Sequence, residues 1–194
     1  MGNKGFYPDR RGFFRTILES SERRLGAIMF TDLVGYSAMT SRNEELAPKM
    51  LEEHRTLLRE AFRKHSGVVI KTVGDGFLVE FASAVEPVNS AVEAQAALRH
   101  FNEGRKEKVS VRIGIHVGDI VHSGGDILGD AVNVAARLQP LAEPGGICVS
   151  RHVVDQIERK VPYVRSVPWF ASYRTEAWWP EIDSKIVSSG KNAR

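Results

Sequence analysis

The sequence predicts an α+β fold with a mostly antiparallel sheet, and two observations carry that expectation. Apolar runs of strand length alternate with stretches of helical period, but imperfectly, because two pairs of runs are joined by glycine turns rather than by helices. The first pair, Val68-Val69-Ile70 and Phe77-Leu78-Val79, flanks Gly74-Asp75-Gly76, which is the composition of a β-hairpin whose tight turn carries an acid. The second pair is residues 109–116 and Ile120-Val121-His122, with Gly118-Asp119 read as the turn between them. A doubly wound parallel sheet needs a helix in each of those gaps.

Taken in order, residues 1–24 read as a polar extension. They hold Arg10-Arg11 and Arg23-Arg24, lack the apolar middle of a signal peptide, and leave room for a short helix over 13–20. A strand over about 25–32 contains Ala27-Ile28-Met29-Phe30, is bounded by Thr31, and delivers Asp32 at its carboxyl end. Val34-Gly35-Tyr36-Ser37 turns that strand into helical sequence, and backbone N–H groups at such a start can receive phosphate oxygens. Over 44–64, Leu46, Met50, Leu51, Leu57, Leu58, Ala61 and Phe62 fall on one helical face. The hairpin follows, and then a second helix over 84–100 with Val85, Val88, Ala91, Val92, Ala96 and Leu98 inward. Residues 109–116 alternate as a strand does, with Val111, Ile113 and Ile115 on one face. Ser123-Gly124-Gly125 leads to Asp126, Gly129-Asp130 opens a helix over 131–141, and Pro144-Gly145-Gly146 ends it before a strand at 147–150.

Beyond residue 158 the composition shifts. Trp169, Trp178 and Trp179 all lie there, Pro162, Pro168 and Pro180 interrupt any period, and 184–194 reads as disordered. The expected division is therefore an extension (1–24), a core domain (25–158) and an atypical tail (159–194).

Composition narrows the chemistry. A chain of 194 residues with 42% apolar content suits one domain with extensions. The net charge of +3 comes from Lys and Arg scattered among acids, which describes a solvated surface and not a nucleic-acid face. A lone Cys148, within Ile147-Cys148-Val149, excludes an internal disulfide framework and zinc clusters; it suits a cytoplasmic chain and a small buried hydrophobe. No apolar run is long enough to span a bilayer.

The chemistry-bearing residues are the two aspartates. An Asp-Gly by itself marks an ordinary turn. Asp32 and Asp75, however, both stand at the ends of core strands, and two such carboxylates can converge on one cation or a pair, as two-metal chemistry at phosphorus requires.

Four stretches, residues 27–37 (AIMFTDLVGYS), 69–77 (VIKTVGDGF), 112–119 (RIGIHVGD) and 125–137 (GDILGDAVNVAAR), resemble in order the catalytic domain of class III nucleotidyl cyclases, particularly bacterial adenylate cyclases. The resemblance implies a ferredoxin-like βαββαβ core that works as a dimer and converts ATP to cyclic 3′,5′-AMP and pyrophosphate. It implies that Asp32 and Asp75, with the Leu33 carbonyl, hold two divalent cations, Mg or Mn, and that Val34, Gly35 and Tyr36 contact the substrate. Asn133 would orient the ribose and Arg137 would stabilise charge on the α-phosphate; four residues apart on a helix, they emerge from one face. Lys71 and Asp126 match the adenine-reading pair, a donor to ring N1 and an acceptor for the N6 amine, so a guanylate cyclase is disfavoured. In the family the metal aspartates of one subunit face Lys71, Asp126, Asn133 and Arg137 of the other. Because this chain holds both sets, a head-to-tail homodimer with two composite sites is expected.

One departure stands out. Family members close with a hairpin containing a Leu-Lys-Asn-Ile-like run that sends a lysine to the triphosphate, whereas residues 164–179 (VRSVPWFASYRTEAWW) contain none, and Lys160 and Lys185 are poor substitutes. A cyclase-like module that binds nucleotide or a partner without turnover is the alternative.

Overall fold

The computed structural model describes residues 23–157, 160–161 and 184–187, and the strands among them join in one sheet. Strand β1 (Arg23–Leu33) leads to a short helix α1 (Tyr36–Arg42) and a long one, α2 (Leu46–Lys64). The hairpin β2 (Val68–Val73) and β3 (Gly76–Phe81) follows, then α3 (Val85–Phe101), the long strand β4 (Val111–Ser123), β5 (Asp126–Leu128) and α4 (Asp130–Leu138). A 3₁₀ turn (Gln139–Leu141), β6 (Ile147–Ser150), α5 (Arg151–Ile157) and β7 (Ser184–Val187) complete the order. The strands run β2-β3-β1-β4-β6-β7, with β5 folded back on β4, and only the β4–β6 pair is parallel. The path from β1 to β4 is thus the expected βαββαβ core in a mostly antiparallel sheet.

Alternation along β1 explains the layers. Ala27 and Met29 point to the face covered by α2 and α3, where Leu58, Phe62, Val88 and Leu98 meet Phe77, Val79 and Phe81. Ile28 points the other way, into a smaller cluster with Leu78, Ile120 and Ile127 that α4 covers with Ala131 and Ala135. Strand β3, packed on both faces, is buried at all six positions. Each of its apolar side chains, Phe77, Leu78, Val79 and Phe81, contributes about 1.5–3 kcal/mol on burial. Cys148 is buried, as its apolar neighbours predict.

The structure departs from the sequence expectations in four places. Gly118-Asp119 is no turn, because β4 runs straight through it, with Gly118 opposite Gly26 and Asp119 opposite Leu25. The glycine is there for clearance: a Cβ on Gly118 would lie 3.0 Å from the Ala131 Cβ of α4. The real turn is Gly124-Gly125, whose φ values of 59° and 82° fit a two-residue hairpin joining Ser123 to Asp126. On α3, Ala96 is exposed and Gln95 points inward instead, its Nε2 donating to the Val111 carbonyl at 2.8 Å and so tying the helix to the start of β4. The helix after Gly129 stops at Leu138, because Pro140 follows and the chain tightens into a 3₁₀ turn. Finally, Ser184–Val187, within the stretch read as disordered, pairs antiparallel with β6. The helix expected over 13–20 and the tail tryptophans lie outside the described residues.

His116 on β4 places its Nδ1 2.8 Å from the Ser150 Oγ and its ring edge-on to His152. Burial, reinforced by the neighbouring His152, pushes the imidazole down from 6.5 to about 4, against the pull of Asp130. Because the folded value lies below the unfolded one, this group's contribution is present above pH 6.5 and is lost as pH falls toward 4. The thermal midpoint is expected to drop over that window, and more shallowly for His116→Gln; parallel wild-type and variant melts across it would contradict the assignment.

Candidate active site

Two contacts between β1 and β3 bring the aspartates together. The Phe77 N–H of β3 donates to the buried Thr31 Oγ1 of β1 at 2.9 Å. One residue earlier, a Cβ on Gly76 would stand 1.7 Å from the Thr31 carbonyl oxygen, so only glycine permits this approach. The turn before it is Gly74-Asp75, with Gly74 at φ 59° as a hairpin of this length requires of its first central residue. Asp75 is thereby set against Asp32, the next residue along β1, and their carboxyl groups lie within hydrogen-bonding reach of each other.

Electrostatics record that closeness. Desolvation raises the Asp32 carboxyl above its ordinary 3.8, and the charge and hydrogen bond of Asp75 raise it further. Arg112 and Gln139 act in the opposite sense. Arg112 is the ladder partner of Asp32 across β1 and β4, and its Nε is buried without a hydrogen-bond partner. Gln139 lies near enough to favour the ionised carboxylate, although its Nε2 also closes no hydrogen bond of standard geometry. Its approach depends on Gly114, where a Cβ would come within 2.3 Å of the Gln139 backbone nitrogen. Neither residue was found by sequence reasoning. Arg112 was legible by counting the ladder back from Ile113, whereas Gln139 arrives through a packing contact with no sequence signal.

The remaining predicted residues fall into three groups. Lys71 Nζ and Asp126 Oδ2 form an ion pair at 2.5 Å, joining β2 to β5 across the sheet face, and this bond with the Ile127 N–H holds the Asp126 carboxyl below its ordinary value. Asn133 and Arg137 are both exposed on α4, one turn apart. Leu33 is buried at the end of β1. The Val34 N–H is already committed to the Ser110 carbonyl at 2.8 Å, which leaves Gly35 and Tyr36 as the residues whose amides open α1.

The donor set fits a magnesium-type site. Two carboxylates beside a main-chain carbonyl are hard oxygen ligands, and such ions are ordinarily held by one or two carboxylates plus substrate phosphates rather than by a protein cage. Among the described residues there is no cluster of three or more His, Cys, Asp or Glu placed to hold a metal. No described helix is long and apolar enough to cross a membrane.

A mixed, mostly antiparallel α+β sheet with flanking helices is the architecture of a nucleotidyl cyclase domain, and comparison with known proteins bears out that fold and family. The sequence model of the adenylate and guanylate cyclase catalytic domain matches residues 19–167, and the chain belongs to that family. "Putative adenylate cyclase 3" of Rhizobium meliloti (strain 1021) is 42% identical over 135 residues, which are 68% of this chain and 23% of that protein. The chain thus spans about a quarter of that relative's length. A crystal structure of an adenylate/guanylate cyclase/hydrolase from Silicibacter pomeroyi is 38% identical, with a TM-score of 0.73 and coverage of 86% of this chain and 98% of that one. The guanylate cyclase domain of RhGC from Catenaria anguillulae, crystallised with GTP, shares the fold at 18% identity, with a TM-score of 0.71 over 86% of this chain and 98% of that one.

Asp32 is a group whose folded pKa is raised, so its stabilising contribution is complete below 3.8 and is lost as pH rises through the folded value. Without divalent cations, the ionised form of this carboxyl weakens the fold. Asp32→Asn is therefore expected to raise the thermal midpoint at pH 7 in chelator, and an unchanged or lower midpoint would show that burial and Asp75 do not together oppose a charge at this position.

Proposed function

We propose that this chain is an adenylate cyclase, converting ATP to 3′,5′-cyclic AMP and pyrophosphate in sites shared between two copies arranged head to tail. The observation that carries the reading is the convergence of Asp32 and Asp75, two mutually repelling carboxylates held together where β3 approaches β1 so closely that only glycine fits at position 76. In this reading Asp32, Asp75 and the Leu33 carbonyl hold two divalent cations, Mg or Mn. Bound there, the cations supply acidification of the ribose 3′-hydroxyl and charge neutralisation for the leaving pyrophosphate.

Every other role falls to side chains and amides. Gly35 and Tyr36 present the first amides of α1 to phosphate oxygens, while the Val34 N–H is spent on Ser110 and acts only through the shape of the turn. Arg112, beside Asp32 with a buried, unpartnered Nε, is a described cation suited to the triphosphate. Asn133 orients the ribose and Arg137 meets the charge growing on the α-phosphate, both delivered from the partner copy by the exposed face of α4. Lys71 and Asp126 read adenine as donor and acceptor. Guanine reverses that pattern and leaves each group unpaired, at about 1–3 kcal/mol apiece.

Purified chain with manganese and ATP is expected to form cyclic AMP, and GTP to be used at least about 10-fold less well. Asp32→Ala and Arg137→Ala are each expected to be inactive alone. Mixed in equal amounts, they should recover about one quarter of wild-type activity, since half the dimers are mixed and each mixed dimer holds one intact site of two. Product that fails to reappear on mixing would argue against the shared site; ATP-dependent thermal stabilisation with no product from the wild-type chain would favour a binding module instead.

A further inference from the structure

The hairpin that carries Asp75 has support from the sheet on one side only. β2 is an edge strand with Val68 and Val73 exposed. Support on the outer side comes from one turn of α2. The Arg55 Nη2 donates to the Gly74 carbonyl at 3.1 Å, directly before Asp75. Four residues on, the Arg59 guanidinium lies 4.8 Å from the centroid of the Phe77 ring, two residues after Asp75, and Phe62 packs edge-on to the same ring. Arg55 and Arg59, one turn apart on the helix, therefore bracket the acid from both sides in sequence.

Two features mark Arg55 as placed for this contact and not merely solvated. Its side chain is only 23% exposed, and its Nε is buried without a partner, so the packing forgoes one hydrogen bond while keeping Nη2 on the turn. Its ion pair with Glu52, at 3.9 Å to a largely exposed carboxylate, is too long and too wet to account for the burial. A carbonyl in a glycine turn has few other ways to be fixed, because Gly74 has the widest conformational freedom of any residue in the hairpin.

From this geometry we infer that Arg55 is a positioning residue: by holding the Gly74 carbonyl it sets the Asp75 carboxyl against Asp32, with Arg59 bracing the same turn through Phe77. The inference rests on the reading of Asp32 and Asp75 as the divalent-cation pair. A turn released from Arg55 leaves Asp75 on a hinge, so the pair loses cation affinity before it loses nucleotide contacts made elsewhere.

The test uses the full chain and manganese. Arg55→Met keeps the aliphatic stem and removes the donors, and Arg55→Lys restores one cationic donor on a similar stem. Manganese binding is read by the electron paramagnetic resonance signal of the free ion, with and without a non-cyclisable ATP analogue, and activity is measured as a function of manganese and of ATP. Arg55→Met is expected to weaken manganese binding and raise the half-saturating manganese concentration about 10-fold, with the KM for ATP at saturating manganese changed less than 2-fold. Arg55→Lys should recover part of the manganese affinity. Equal losses in manganese binding, KM and thermal midpoint would mean that Arg55 only stabilises the fold, and unchanged manganese binding would overturn the inference outright. Asp75→Asn, run in parallel, separates the two claims. If it leaves manganese binding intact, the cation pair itself is wrong; if it abolishes binding while Arg55→Met does not weaken it, only the role of Arg55 is.

Discussion

The arrangement depends on how closely β3 passes the end of β1. At Gly76 the two backbones approach so tightly that the Thr31 carbonyl occupies the volume a side chain would need, and the neighbouring Phe77 amide is bonded to the Thr31 hydroxyl. Strands at ordinary ladder spacing would leave the acids at their ends separated by side chains. Here the missing side chain lets Asp32 and Asp75 face each other, and the cost is a carboxyl group whose ionisation the fold itself opposes. Repulsion of this kind is what a protein retains when the charges have a use other than stability.

The two faces of the sheet divide the work. One is closed by α2 and α3 over a large aromatic and aliphatic cluster, and it supplies rigidity. The other is covered only in part by α4, with Ala131 and Ala135 allowing the helix to lie close to β4, where glycines at positions 114 and 118 leave space for it. Glycine in this domain acts less as a source of flexibility than as a way of removing volume, and three of the glycines that shape the candidate site serve in that manner.

Much of this was legible in the sequence. Periodicity located the strand ending in Asp32, the hairpin around Asp75, the long helix before it and the strand at 147–150, because each is a strong pattern bounded by a clear turn signal. Gly118-Asp119 misled, since a glycine needed for close packing in an extended strand is indistinguishable in sequence from one needed for a turn. The inward Gln95 and the outward Ala96 reversed a hydrophobicity rule because a carbonyl at the start of β4 required a donor. At the candidate site, individual acids and cations were readable as residues, but the neighbours that tune them were not. Gln139 and Arg55 reach their targets across a 3₁₀ turn and from a helix flank, and no local spacing records such contacts.

The bond between Lys71 and Asp126 alters what recognition at that face has to mean. If the pair reads a base as proposed, the ligand meets two half-exposed groups already engaged with one another and must be accepted as a substitute. The gain on arrival is only the surplus of the new pairing over the old, and a molecule able to address just one of the two strands the other. In the proposed reading the chain thus carries a resident competitor for its own surface, and selection there works by exchange rather than by fit.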